Sequence, residues 1–237
     1  MKAERNGRLI VIEGIDGTGK QTQSERLART LAARQVPVLR VSYPRYDKDS
    51  SAMARHYLAG DFGEDPDAVS PYVASTFFAA DRYASYQEET GPFLAKGGVV
   101  IADRYTTSNL VHQAGKIADA AERDAFVHWL EDYEYRLLGL PRPDLVFFLD
   151  MPEAVSEQLM ADRANKITGE AEKDIHERDT DYLKRSAACA RALAKARHWR
   201  IVNCLDGDGQ LRAVDDIGDE ITAAVLDALK SKSEADA

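Results

Sequence analysis

Seven residues constrain this chain more than any others: Gly14-Ile15-Asp16-Gly17-Thr18-Gly19-Lys20, between the apolar run Arg8–Glu13 and a helical pattern that opens at Lys20. This is Gly-x-x-x-x-Gly-Lys in a strand–loop–helix setting. The glycines allow positive φ and let backbone N–H groups curl around a phosphate. The helix N-terminus adds partial positive charge there, and a lysine at Lys20 reaches the outer phosphates of a nucleotide. The expected phosphate contacts therefore run from Gly14 through Ile15, Asp16, Gly17, Thr18 and Gly19 to Lys20, and on to Gln21 and Thr22. One position departs from the pattern. A Ser or Thr hydroxyl after the lysine serves as a Mg²⁺ ligand, and here that place is Gln21. The metal is then expected to lean on carboxylates, Asp16 and Asp103.

Such a loop needs a strand to end at it, and the rest of the chain supplies a sheet. Five short β-rich runs, Arg8–Glu13, Val36–Ser42, Val99–Asp103, Leu145–Asp150 and Trp199–Asn203, alternate with helical patterns. Their middles are continuous Leu, Ile, Val and Phe, as strands covered on both faces require. The expected fold is α/β, a five-stranded parallel sheet flanked by helices. One domain is expected over residues 1–230, with a polar tail at 231–237. Asn165–Asp181 is highly charged and reads as a long loop, and long loops in compact domains are commonly functional.

Composition sets limits on function. At 44% apolar and 30% charged, disorder along the whole length is excluded. The longest apolar runs are four or five residues, Val99–Ala102 and Leu145–Leu149, against about 20 for a membrane span. The N-terminus reads as no secretory leader. A net charge of −9 disfavours nucleic acid and anionic lipid as partners but admits a small phosphorylated ligand bound by locally gathered basic groups. Cys189 and Cys204 are too few for a disulfide framework or metal cluster and fit a reducing cytoplasm.

Basic residues gather where strands end. Arg45 follows the second strand and Arg104 the third, inside Asp103-Arg104-Tyr105. Ligands of parallel α/β sheets bind beyond the carboxyl ends of strands, so both arginines are expected in one crevice with Lys20. Phe78 and Arg82 are four apart and share a helix face, about a quarter-turn from an expected core face of Val73, Phe77, Ala80 and Ala84. Two readings stay open for that pair: a stacking ring with a guanidinium donor for a base, or a peripheral core Phe beside a solvated Arg.

Taken together, Gly14–Lys20 with Asp16, Phe78 and Arg82, Asp103-Arg104-Tyr105-Thr-Thr-Ser108, and Asp174 with Glu177-Arg178-Asp179 resemble the thymidylate kinases, from about Arg8 to Leu229. The resemblance implies a P-loop kinase fold with a mobile lid over about 163–181, a homodimer, and γ-phosphoryl transfer from ATP to dTMP. By the same resemblance Asp16 contacts the sugar 3′-hydroxyl and metal-bound water, and Arg45 and Arg104 bind the acceptor phosphate. It further places Phe78 on thymine, Arg82 on its carbonyl, Tyr105 at the substrate, and Ser108 and Asn109 along the base. Gly17 stands where some members carry an arginine; members with glycine there are expected to supply it from the lid, a role that matches Arg163 and, less well, Arg178. His112 stands where many bacterial members have a tyrosine near the 2′ carbon.

The chemistry fits what is missing. A nucleoside monophosphate, with a second pKa of about 6, is already anionic and needs no general base. Catalysis then rests on alignment and charge neutralisation by Lys20, the arginines and Mg²⁺. The alternatives are a kinase for another pyrimidine nucleotide or a deoxynucleoside, with Glu13 as base, and a nucleotide-binding module without turnover, for which Gln21 is the main argument. His56, His128, His176 and His198 show no metal-ligand spacing, and His128, Trp129, Tyr133 and Tyr135 read as packing or interface residues.

Overall fold

The computed structural model describes residues 6–160 and 174–235. Five strands form: β1 (Arg8–Glu13), β2 (Val38–Ser42), β3 (Val99–Asp103), β4 (Leu145–Asp150) and β5 (Arg200–Asn203). They make one sheet in the order β2-β3-β1-β4-β5, every pair parallel. The centre is β1, where Ile10 lies between Ile101 and Leu145. β2 starts two residues later than the apolar run suggests, after Pro37, which has no N–H for the ladder although its carbonyl accepts from Val99 N at 2.9 Å.

Successive strand residues feed opposite layers, the period-2 consequence of the pleat. Ile10 and Ile12 of β1 pack with Leu27 and Leu31 of α1 (Lys20–Ala33) and with Ile217, Ile221 and Val225 of the C-terminal helix. Leu9 and Val11 face the other way, toward Leu94, Tyr105, Tyr135 and Leu140. Both faces of the sheet are thus covered, which explains the uninterrupted apolar runs.

In chain order the remaining helices are α2 (Ala52–Ala59), α3 (Pro71–Ser85), α4 (Gly91–Ala95), α5 (Thr106–His112), α6 (Ala120–Glu131), α7 (Glu153–Met160), α8 (Ile175–Arg178), α9 (Thr180–Ala196) and α10 (Val214–Ala235). Helices α3 and α6 both widen at their ends into i→i+5 turns, Tyr86–Thr90 after α3 and Asp132–Leu137 after α6. Such bulges shift which residues face inward, and the one after α6 buries Glu134. Among the described residues no helix is long and apolar enough to cross a membrane.

Candidate active site

The loop between β1 and α1 has the geometry its glycines promised. Gly17 and Gly19 sit at φ 80° and 85°, a region closed to most side chains. A Cβ on Gly17 would also lie 2.4 Å from the Ser156 carbonyl oxygen and 2.7 Å from Met160 Cγ, so α7 packs directly on the loop. Thr18 Oγ1 donates to Ile15 O at 2.9 Å and Lys20 Nζ donates to the same carbonyl at 2.6 Å. Lys20 is buried, with Asp16 3.9 Å away. Burial, reinforced by the Arg104 guanidinium, lowers its pKa to about 8. The loop floors a cleft of about 370 Å³ that Asp103 and Arg104 line on one side. Leu159, Leu211 and Val214 line the other, each about half exposed.

Arg104 lies just past β3 at φ 67°, a conformation costing an L-residue about 1–2 kcal/mol. The turn aims its guanidinium back across the crevice: Nη2 donates to Asp16 and Nη1 to His112 Nε2, the latter at 3.0 Å. Burial and the neighbouring Arg104 push the His112 pKa down to about 3, so the imidazole is neutral. Because Nε2 accepts from Arg104, the ring proton sits on Nδ1, which is buried without a partner. Asp103 Oδ2 is likewise buried and unpartnered for hydrogen bonds, with Arg40 Nη2 3.7 Å away. That orphaned oxygen at the cleft is the feature a hydrated Mg²⁺ would satisfy. Among the described residues no cluster of three or more His, Cys, Asp or Glu could hold a metal outright. The set therefore fits Mg²⁺, which commonly keeps waters and binds through one or two carboxylates plus substrate phosphates. Gln21 turns along its own helix, donating to Glu25 at 3.0 Å.

The two other arginines are each held by buried carboxylates. Arg45 does not extend freely into the crevice. Its Nε donates to Asp81 at 3.0 Å, Nη1 to Glu88 at 2.9 Å and Glu89 at 3.2 Å, and Nη2 to Ser50 at 3.0 Å. Arg82 is 2% exposed and forms a two-pronged pair with Glu134, at 2.7 and 2.5 Å. Burial works against its charge, and Glu134 outweighs that and raises its pKa. The expected core face of α3 is corrected too: Val73 is 48% exposed, whereas Ala74, Ser75, Ala79, Asp81, Arg82 and Ser85 are buried. Buried partners for Asp81 and Arg82 turned the helix, a tertiary effect that apolar periodicity does not register. Phe78 is half-buried, edge-on to Tyr57 at 6.0 Å between ring centres.

Tyr105 is 3% exposed, and its hydroxyl donates to Pro141 O at 3.1 Å, so its ring belongs to the core rather than to a substrate surface. Ser108 and Thr107 hydroxyls donate to Glu13 Oε2 at 2.7 and 2.6 Å, and Gly14 N to Oε1 at 3.0 Å. Glu13 is fully buried, and both of its carboxylate oxygens are engaged by these bonds. Asn109 donates to Ser75 O and to Glu134.

The profile of the thymidylate kinase family matches residues 12–213. A thymidylate kinase from Mycobacterium tuberculosis (strain CDC 1551 / Oshkosh) is 33% identical over 210 residues, covering 86% of this chain and 95% of the relative. A probable thymidylate kinase from Pyrococcus horikoshii is 31% identical over 222 residues, covering 92% and 96%. A thymidylate kinase from Bifidobacterium longum is 31% identical over 199 residues, covering 84% and 90%. The chain belongs to the thymidylate kinase family.

Arg163 and most of the expected lid lie outside the described residues. Its last part, read as loop without apolar anchors, instead forms α8, where Ile175 is 1% exposed and packs with Tyr57, Leu58 and Ala74. His176 stacks on His112, ring centres 5.7 Å apart at 9°, and its Nε2 meets Tyr57 Oη at 2.9 Å. Sequence reasoning found no metal-ligand spacing at His176 and gave it no other role, and it passed over Tyr57 and Glu134. Only the lone Ile175 amid charges hinted at an anchored turn.

Proposed function

We propose that this chain transfers the γ-phosphoryl group of ATP to dTMP, giving dTDP and ADP. The observation that carries the reading is the convergence of Lys20, Asp16 and Arg104 on one crevice beyond β1 and β3. ATP phosphates sit in the loop amides of Gly14–Lys20, where Lys20 leaves Ile15 O for the β/γ oxygens. The apolar side chains Leu159, Leu211 and Val214 cover the adenine. The dTMP phosphate lies against Arg104, which is freed to turn from Asp16 when an anion arrives, and Asp16 then accepts from the sugar hydroxyl. No base is required of the protein, because the acceptor oxygen is already anionic. In-line alignment and neutralisation by Lys20 and Arg104 lower the barrier. Mg²⁺, when bound, would be held by Asp103 and Asp16 with the phosphates, and supplies further neutralisation of the transferring group. Arg163 from the lid adds a cation over the phosphates. Arg45 orders the turn after β2, and His112 faces the deoxyribose. Phe78, Arg82 and Asn109 face the base.

The same proposal extends to assembly and place. Tyr72, Val73 and Tyr83 are exposed on α3, and Tyr72 continues into an aromatic ladder with Trp129 and Tyr133; this face suits a second copy of the chain. The protein works in the cytoplasm on small nucleotides, without nucleic acid or membrane.

ADP release with ATP and Mg²⁺ against dTMP, dUMP, dCMP, UMP and thymidine tests the reading. Turnover with dTMP foremost is the expected result. Preference for thymidine, or no turnover with any acceptor, would overturn it.

A further inference from the structure

Glu134 is fully buried on the wide turn that follows α6, 52 residues along the chain from the arginine it binds. Its carboxylate accepts four hydrogen bonds: Arg82 Nε at 2.7 Å, Arg82 Nη2 at 2.5 Å, Thr106 Oγ1 at 2.9 Å and Asn109 Nδ2 at 3.0 Å. Asn109 spends its second N–H on Ser75 O at 3.1 Å. That pair of acceptors fixes which way the amide points. Reversing it would press Oδ1 against a carboxylate and a carbonyl, a like-charge contact with both lone-pair sets unsatisfied. Two groups of this cluster then remain without a partner among the described residues: the Oδ1 acceptor of Asn109 and the Nη1 donor of Arg82.

We propose that Glu134 is a positioning residue that sets the hydrogen-bonding polarity of the base subsite. The inference rests on the reading above that Arg82 and Asn109 face the base. A 4-keto pyrimidine offers a carbonyl oxygen for the Arg82 donor and an N3–H for the Asn109 acceptor. A 4-amino pyrimidine presents the reverse, an amino donor and a bare N3, and meets donor with donor and acceptor with acceptor. Glu134 touches no substrate. It makes the discrimination by holding one amide and one guanidinium in a single arrangement.

The test compares dTMP with 5-methyl-dCMP, which differ only along that edge, in the full-length protein and in Glu134→Gln, Glu134→Asp and Asn109→Ala, each checked for folding by thermal melting. The wild type should favour dTMP. Glu134→Gln puts an NH₂ where one of the two acceptors stood and leaves Ser75 O alone to hold the Asn109 amide, so the kcat/KM ratio should narrow, by up to about 10- to 100-fold, the worth of a reversed base-edge pair. KM for ATP should stay unchanged, and Glu134→Asp, which keeps an acceptor-only group, should restore most of the ratio. A folded Glu134→Gln that loses activity on both substrates in parallel, with the ratio intact, overturns the proposal. If Glu134→Gln does not fold, Asn109→Ala decides: it too must narrow the ratio, and an unchanged ratio overturns the assignment of the acceptor. A wild type that does not discriminate overturns instead the base-facing reading of Arg82 and Asn109.

Discussion

Replacing Gly17 by alanine should separate two costs that the loop imposes together. The first is conformational: at φ 80° any Cβ meets its own backbone, at about 1–2 kcal/mol for an L-residue. The second is contact, because the added carbon would sit 2.4 Å from the backbone oxygen of Ser156. Backbone cannot swing aside as a side-chain tip does, so α7 itself must move or the loop must open. Gly139→Ala is the matched control. It has φ 71° with nothing within 4 Å of the new carbon, so it carries the first cost alone. Alanine's smaller unfolded-state entropy offsets both variants equally. Overpacking of this kind typically adds about 1–3 kcal/mol. For a chain of this size that lowers Tm by roughly 2–12 °C beyond the control. Differential scanning calorimetry measures the difference, and hydrogen exchange over Glu153–Met160 should rise in Gly17→Ala only. Equal melting of the two variants, with unchanged exchange in α7, would refute the claim that this helix rests on the phosphate loop.

Lys20, with its pKa held at about 8 by burial and Arg104, makes kcat/KM for ATP fall above that pH, with a limiting slope of about one decade per unit. Its folded pKa lies below the ordinary 10.5, so the unfolded chain binds more protons and this group makes the fold more stable as pH rises from about 8; activity lost together with thermal stability would point elsewhere. Arg45→Met should cost stability by about 3–5 kcal/mol, because it leaves the fully buried Asp81 without its cation. Urea unfolding reads the loss, and a variant as stable as wild type with a raised KM for dTMP would return Arg45 to the acceptor phosphate. His112→Tyr should lower activity on the thymine ribonucleotide more than on dTMP, since a phenol fills more of the space beside the sugar than a neutral imidazole; an unchanged ratio of kcat/KM values would place His112 outside that pocket.

The layered fold, the phosphate loop and the strand ends at which the site lies are all legible in the order of residues along the chain. These are local matters: glycine spacing permits left-handed turns, and runs of Leu, Ile, Val and Phe demand burial on both faces. β1, β3 and β4 accordingly fall at the residues their apolar runs mark. The partners of the charged side chains come instead from residues far away along the chain. Along the chain Arg45, Arg82 and Arg104 give no sign of their partners, yet one is tied to Asp81, one to Glu134 and one to Asp16 and His112. Nothing near Arg82 in sequence announces Glu134, and the turn that buries Glu134 departs from the helical period by which faces are read. The inward face of α3 was misread for the same reason. Burying an ion costs so much unless its partner is in place that the partner's position, rather than apolar content, sets how the helix is turned.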